Sequence, residues 1–224
     1  MDLKCPGAIL TRQPEPENFN CPSCGAEVEI WTDELSRPCQ KCGTVVTKSE
    51  GLSCVEWCRH AKECIGETRY AQYMARRVSS LRERLLKVLE ERLMPLGVRE
   101  IRRTVSRTKR AIRYAEKAIS LEGGDPHIVI PALILYEIGP AGRTAESGAA
   151  RKVLLAEGLL MVHIDEICDI ISSLDRVCRE DTLNLRISHD ARLLARLEET
   201  RENSPDAAFF TGAGKDLAAS AAGH

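Results

Sequence analysis

The chain has 224 residues, a length that suits one medium domain and one small one. Its residues are 43% hydrophobic and 29% charged, as is typical of a folded protein, and its net charge is -1. The near-neutral charge excludes a global electrostatic attraction to nucleic acid or membranes. Aromatic residues make up only 4%, so we expect an aliphatic core, which favours packed helices over a β-sandwich. No apolar run reaches the roughly 20 residues of a membrane span, and the first residues lack a signal-peptide pattern. We therefore expect a cytoplasmic protein, whose thiols stay reduced.

Cysteines are concentrated at the front of the chain, because eight of the ten lie within the first 64 residues. In a reducing compartment this pattern favours metal binding over disulfides. The change in composition predicts four parts along the chain. They are an N-terminal extension (1–20), a cysteine-rich ribbon region (21–65), an all-α domain (66–200) and a mobile tail rich in Ala, Gly and Ser (201–224).

Two Cys-x-x-Cys-Gly turns begin at Cys21 and Cys39. A spacing of two residues lets both sulfurs of a turn reach one ion, and the following glycine permits the tight backbone. The four thiols of Cys21, Cys24, Cys39 and Cys42 therefore predict one tetrahedral site, for which zinc is the best-suited metal and iron the alternative. With a strand predicted over 28–32, this region resembles a zinc ribbon, and four protein ligands indicate a structural site.

A second cysteine group, Cys54, Cys58 and Cys64, follows the ribbon and encloses His60. Three interpretations remain open. The thiols are a small buried turn, or they form a second zinc site with His60 or Cys5, or they hold an iron–sulfur cluster with Cys5 as fourth ligand. The spacing matches no standard ferredoxin pattern.

Helical periodicity begins after Gly66. Asp125 and Pro126 read as an N-cap and a first-turn proline, and Cys168 and Cys178 fall on an apolar stripe that predicts small core residues. The predicted helices cover 67–93, 98–122, 128–138, 144–160, an amphipathic stretch over 164–178, and 184–199.

The order of elements over 101–197 resembles the HD superfamily of metal-dependent phosphohydrolases. The resemblance rests on the segments YAEKA (114–118), GGDP (123–126), ALILYEIG (132–139), IDEICDII (164–171) and DARLL (190–194). The ribbon and the segment CVEWC (54–58) are also similar to the front end of some members. The fold class that follows is mainly α, with an HD-like helical domain behind a small zinc ribbon.

Intact members hold one or two metal ions with a His, a His-Asp dyad and a later Asp, and these ions activate water. At the matching positions this chain has Arg107, Tyr136, Glu137 and Asp190. Tyrosine is a poor ligand at neutral pH because its pKa is near 10. Only Asp190 is retained, so the resemblance implies a degenerate catalytic site. The pair His189-Asp190 comes too late to be the dyad and reads as a helix start with Asp as cap.

The helices between residues 66 and 118 carry 15 Lys or Arg against six Glu. Such a face suits a nucleotide, an acidic partner or nucleic acid, but basic helix faces are more often simply solvated, so nucleic acid is not expected. Arg107 could meet a phosphate bidentately, which would suit a nucleotide sensor.

The leading hypothesis is a zinc-binding pseudoenzyme that acts as a non-catalytic regulatory or complex-forming subunit with a protein partner. The first alternative is a residual metal-dependent phosphohydrolase that acts on nucleotides or phosphoesters through Glu137 and Asp190. The second is an iron–sulfur electron-transfer subunit.

Overall fold

The computed structural model describes residues 16–31, 34, 36–47, 55, 58, 60–138, 147–200 and 208–222. The chain divides into two compact units, Met1–Ala75 and Arg76–His224. Helices dominate the described residues, and the strands all lie near the N-terminus, which confirms a mainly α protein with a small β region. Among the described helices, none has the length and apolar character that a membrane crossing needs.

The first unit contains two antiparallel hairpins. Strand β1 (Pro16–Asn20) pairs with β2 (Glu27–Trp31), and β3 (Ser36–Pro38) pairs with β4 (Val45–Thr47). Alternate residues of β2 are buried, and they pack with β4 and with two cysteines in a small core of Cys21, Val28, Ile30, Cys39 and Val46. A short helix, α1 (Ala61–Ile65), follows. Strand β2 corresponds to the strand predicted over 28–32.

The second unit is built from helices. Helix α2 (Glu67–Leu93) ends at a 3-10 turn (Met94–Leu96). The helices that follow are α3 (Val98–Glu122), α4 (Pro126–Tyr136), α5 (Ser147–Ala156), α6 (Met161–Ser173), α7 (Leu183–Thr200) and α8 (Gly212–Ala222). The structure confirms six predicted helices with changed bounds: α4 starts and ends two residues earlier, α5 is shorter, and α6 covers Met161–Ser173 rather than 164–178.

Helix α4 lies at the centre of this unit, where it packs against α3, α6 and α7. Every residue from Ile128 to Leu135 is buried, which agrees with a sequence that is apolar nearly all round. Asp125 begins the helix as predicted, because its Oδ1 accepts a hydrogen bond of 2.8 Å from the amide of His127. Leu81, Leu85 and Leu89 on one face of α2 are buried in the same aliphatic core.

The end of the chain differs from the mobile tail predicted over 201–224. Residues Gly212–Ala222 form α8, Ala213 is buried, and Leu217 and Ala218 pack against the core. Small residues give α8 too few large apolar side chains for a visible period, so the sequence pattern hid the helix. Its attachment depends on polar contacts with distant residues, described below.

The first compact unit ends at Ala75, whereas the composition predicts that the ribbon region ends at residue 65. One smaller prediction needs correction. Cys168 is buried as expected, but Cys178 is exposed. Helix α6 ends at Ser173, so although Leu174 is still buried, Cys178 lies beyond the regular helix and is not placed by its periodicity.

Candidate metal centre

The four cysteines of the two predicted turns converge at one point in the first unit. Their Sγ atoms all lie within 4.8 Å of one another. The Sγ atoms of Cys21 and Cys42 are 3.5 Å apart, and those of Cys24 and Cys39 are 3.6 Å apart. A tetrahedral ion with metal–sulfur bonds of about 2.3 Å needs sulfurs about 3.8 Å apart, whereas a disulfide needs about 2 Å. The arrangement could therefore hold a metal ion.

The two turns have the same backbone structure. In the first, the amide of Gly25 donates to the carbonyl of Cys21 at 2.8 Å, and the amide of Cys21 donates to the carbonyl five residues later. The second turn repeats both bonds at the same lengths with Gly43 and Cys39. Gly25 and Gly43 have φ values of 69° and 73°, a region that favours glycine. The glycine in each Cys-x-x-Cys-Gly turn is thus required by its conformation.

Each turn joins the two strands of a hairpin, so the sheets fix the positions of the sulfurs. The first connects β1 to β2 and the second connects β3 to β4. Cys21 and Cys39 are each only 2% exposed, while Cys42 is exposed. The strands β1, β3 and β4 were not predicted, since all three are short. A strand flanking each turn could have been inferred from the hairpins that such turns require.

Local hydrogen bonds favour the thiolate form of two cysteines. The hydroxyl of Thr44 lies 3.3 Å from the Cys42 sulfur and, with the backbone amide of Thr44, lowers the pKa of the Cys42 thiol to about 6. The backbone amide of Lys41 is the main group that lowers the pKa of Cys39. Both sulfurs are therefore prepared to act as anionic ligands.

Cys24 shows the opposite behaviour. The backbone amide of Ala26 lowers its pKa, but burial and the three neighbouring sulfurs outweigh this effect and raise the pKa to about 12. Four thiolates at such short distances repel one another, so the protein alone does not stabilise full deprotonation. A divalent cation at the centre would supply the missing positive charge and stabilise all four thiolates.

The second cysteine group falls largely outside the described residues. Cys5, Cys54 and the side chain of Cys64 are not among them. Cys58 is partly buried, and Nδ1 of His60 lies 3.2 Å from Oε2 of Glu63. A second zinc site or an iron–sulfur cluster there stays a prediction.

The residues at the HD-like positions make contacts with protein groups. Arg107 donates to Glu137 at 2.7 Å, so the carboxylate of Glu137 is paired with a cation. The hydroxyl of Tyr136 donates to Asp175 at 2.9 Å, and the guanidinium of Arg192 lies 3.7 Å from the centre of the Tyr136 ring. Burial and the Asp175 carboxylate raise the pKa of Tyr136, despite the opposing charge of Arg192. Tyr136 is therefore held protonated, a form that does not bind metal.

Asp190 lies in the middle of α7 and is only 1% exposed. Its carboxylate accepts hydrogen bonds from the amide of Phe210 at 3.1 Å, the amide of Thr211 at 2.8 Å and the hydroxyl of Thr211 at 2.7 Å. Nδ1 of His189 is 3.1 Å from Oδ1 of Asp190. The interpretation of this pair as a helix start was therefore wrong. Asp190 instead holds Thr211, the residue that precedes α8 and caps it by accepting from the amide of Gly214, across 21 residues of sequence.

In the part of the chain that the structure describes, the four cysteines are the only group of three or more His, Cys, Asp or Glu with ligand atoms close enough for one ion. The HD-like positions do not form a common ligand cluster. Arg107 and Glu137 contact each other, whereas Asp190 bonds to the start of α8.

Glu199 on α7 is surrounded by Arg103, Arg107 and Arg110 of α3, and its side chain is 17% exposed. Burial raises the pKa of Glu199, but the hydrogen bond from Arg103 and the nearby positive charges outweigh it, and the pKa is lowered. A lowered carboxyl pKa stabilises the fold above the unfolded-state value, and this stability is lost as the pH falls through the folded-state value. The network should therefore weaken below about pH 4.

We expect Glu199→Gln to lower the free energy of unfolding at pH 7 by up to about 1 kcal/mol, as for other partly exposed ion pairs. The difference from the unaltered chain should shrink as the pH is lowered below about 4, where Glu199 becomes protonated in both states. Urea unfolding at several pH values measures this. Glu91→Gln, at an exposed position of α2, is the matched control. A Glu199→Gln difference that does not change with pH would contradict the role of the carboxylate charge.

Comparison with known proteins gives no relative for this chain: no protein-family model, no curated protein and no solved structure matches it. The candidate centre must therefore be interpreted from its own chemistry.

Proposed function

We propose that this chain is a zinc-stabilised, non-catalytic binding protein, in which a zinc ribbon precedes an HD-like helical domain with a degenerate site. It acts as a regulatory or complex-forming subunit. The proposal rests on two observations. Arg107 and Glu137 pair with each other, and the carboxylate of Asp190 accepts hydrogen bonds from Thr211 at the start of α8. The groups that would have to hold a catalytic metal are thus already bonded to protein.

Zinc is the metal that suits the four-cysteine centre best. Four thiolates in a tetrahedral arrangement match its preferred ligands, and all four positions are filled by protein, which is typical of a structural site. A closed site leaves no position for water or substrate. Any activity of the protein would have to arise elsewhere.

The degenerate site argues against metal-assisted hydrolysis. A divalent ion at Glu137 would have to displace Arg107 from a contact of 2.7 Å and would meet its positive charge. An ion at Asp190 would have to replace three hydrogen bonds in a position with 1% exposure. Each change costs free energy, and one bond between the metal and a carboxylate does not compensate for it.

Two measurements on the full-length chain, purified without oxygen, test this proposal. Metal analysis should find about one zinc per chain, or about two if the second cysteine group also binds zinc, with no iron and no acid-labile sulfide. Incubation with Mn²⁺ or Ni²⁺ and a panel of nucleotides and phosphoesters should give no hydrolysis above the rate without protein.

Metal-dependent hydrolysis that is abolished by Glu137→Gln, but not by Glu91→Gln, would overturn the non-catalytic proposal in favour of a residual phosphohydrolase. About four iron and four sulfide per chain would instead identify an electron-transfer subunit, with the cluster at the second cysteine group. Iron in place of zinc without sulfide would change only the identity of the metal.

A further inference from the structure

One face of α3 carries a line of exposed side chains that are almost all basic. They lie at steps of three and four residues and therefore share a helix face that points away from the core. The α3 stripe consists of five cations and one serine, all exposed: Arg99, Arg102, Ser106, Lys109, Arg113 and Lys117. The opposite face of α3 packs into the core through Thr108, Ile112 and Ala115.

The stripe contains no carboxylate. Helix α3 has eight Lys or Arg and three Glu. Two of these Glu are bonded to other parts of the unit, since Glu116 accepts from Arg82, and Glu122 accepts from the amide of Ala213. The stripe is therefore more positive than the net charge of the chain suggests.

Most of the cations in the stripe are not neutralised by their surroundings. Among the described residues, Arg113 pairs with Glu198 at 2.8 Å, but its side chain is still 53% exposed. The other four cations have no ion pair within that part of the chain. On neighbouring positions of α3, Arg103 and Arg110 are paired with Glu199 of α7. Intramolecular pairing is thus concentrated at the edge of the stripe.

The side chains of the stripe exclude several kinds of partner. A protein interface depends on buried aromatic or apolar anchors, and the stripe has only Arg, Lys and Ser. Single-stranded nucleic acid is bound by stacking its bases on aromatic rings, which the stripe also lacks. The stripe is therefore suited to a ligand that carries negative charges along an extended line. The stripe is about 27 Å long from Arg99 to Lys117 at 1.5 Å per residue.

We propose that the α3 stripe binds the phosphate backbone of duplex nucleic acid without reading its sequence. A duplex carries one negative charge per about 1.7 Å of its axis, so about 16 charges lie along a line of about 27 Å. The five cations of the stripe can therefore contact about four or five phosphates. The pattern in the sequence alone favours a solvated basic face. The structure adds the alignment of these cations on one exposed face, where the neighbouring acid, Glu116, is paired with Arg82. This inference does not depend on the metal centre or on the HD-like site.

The test is binding of the full-length, zinc-loaded chain to a labelled duplex DNA of about 20 base pairs, followed by fluorescence anisotropy over a range of KCl concentrations. We expect binding in the micromolar range at about 50 mM salt, with a slope of log K against log salt of about -4. The variant Arg102→Gln, Lys109→Gln, Lys117→Gln should bind at least about 30-fold more weakly, with a slope of about -2.

The control variant Lys152→Gln, Arg179→Gln, Lys215→Gln changes the net charge by the same amount at exposed positions outside α3. It should keep the affinity and slope of the unaltered chain. All six positions are exposed, so both variants should unfold at nearly the unaltered temperature.

The proposal would be overturned by the absence of duplex binding at about 50 mM salt and 100 μM protein, by equal losses in both variants, or by tighter binding of single-stranded than of duplex DNA. Displacement of the duplex by poly-glutamate at equal charge concentration would also overturn it, because an acidic protein would then be the better partner.

Discussion

Cys39→Ser is expected to remove the metal from the chain and to unfold the first unit. Cys39 is buried in the small core, and its sulfur is 3.6 Å from that of Cys24. Among the described residues, the cluster that contains Cys39 has three large aliphatic side chains, from Val28, Ile30 and Val46. So few buried groups contribute little stability, and small domains of this kind depend on their metal.

The size of the effect follows from the energetics of structural zinc. Binding of zinc to sites with four protein ligands contributes about 10–16 kcal/mol, which exceeds any stability that this core could supply alone. A serine hydroxyl does not replace a thiolate, so the zinc content should fall from about one per chain to near zero. Nuclear magnetic resonance should show the loss of dispersed amide signals from β1 to β4.

The matched control is Cys178→Ser, which removes an exposed thiol from the second unit. It should keep both the metal and the dispersed signals. The helical circular dichroism of both variants should resemble that of the unaltered chain, because the helices of the second unit have a core of their own. Full zinc occupancy in the Cys39→Ser variant would contradict the four-thiolate centre.

Asp190→Ala is the second change with a large expected effect, and it should release α8 from the helical unit. The carboxylate accepts hydrogen bonds from three donors, two of them on Thr211. It also places a negative charge at the positive end of α8, which favours the helix. Its removal leaves buried donors without partners, at about 1–3 kcal/mol each. We therefore expect the free energy of unfolding to fall by about 3 kcal/mol or more.

The start of α8 is tightly packed around the Asp190 carboxylate. The amide of Gly214 donates to the Thr211 hydroxyl at 2.9 Å, and a Cβ on Gly214 would lie 2.9 Å from the same oxygen and too close to the Asp190 carboxylate. Water cannot easily enter so tight a site to replace the lost bonds. The missing contacts should remain unsatisfied.

Hydrogen exchange measures the release directly, since amides of Gly212–Ala222 should exchange much faster in Asp190→Ala while those of α4 change less. Asp216→Ala removes an exposed carboxylate from the same helix and should alter the free energy of unfolding by less than about 0.5 kcal/mol. Unchanged protection of α8 in Asp190→Ala would show that the hydrogen bonds to Asp190 do not hold the helix in place.

The sequence predicts those features whose causes lie within a few residues. The Cys-x-x-Cys-Gly turns, the cap at Asp125 and the ends of α2 all depend on local spacing, on glycine or on proline. Each can be inferred without knowing what lies across the fold. The same holds for the central place of α4, because its apolar residues leave no polar face for solvent.

The features that escaped prediction depend on distant partners. Helix α8 is held by carboxylates that lie 21 and 91 residues away, at Asp190 and Glu122. The pairing of Arg107 with Glu137 spans 30 residues. A carboxylate has the same appearance in a sequence whether it binds a metal, a cation or a backbone amide. Its role is decided only when the fold shows which donor it meets.

The complete enclosure of α4 has a consequence for the newly made chain on the ribosome. The segment from Ile128 to Leu135 leaves the ribosome before α6 and α7, which cover it and end with Thr200. At a synthesis rate of about 5–20 residues per second, this segment waits about 3–13 s for its covering helices. During that interval it is a candidate for chaperones and for aggregation. Pro131, in the middle of the segment, lacks an amide hydrogen and so opposes the strand pairing from which aggregates grow.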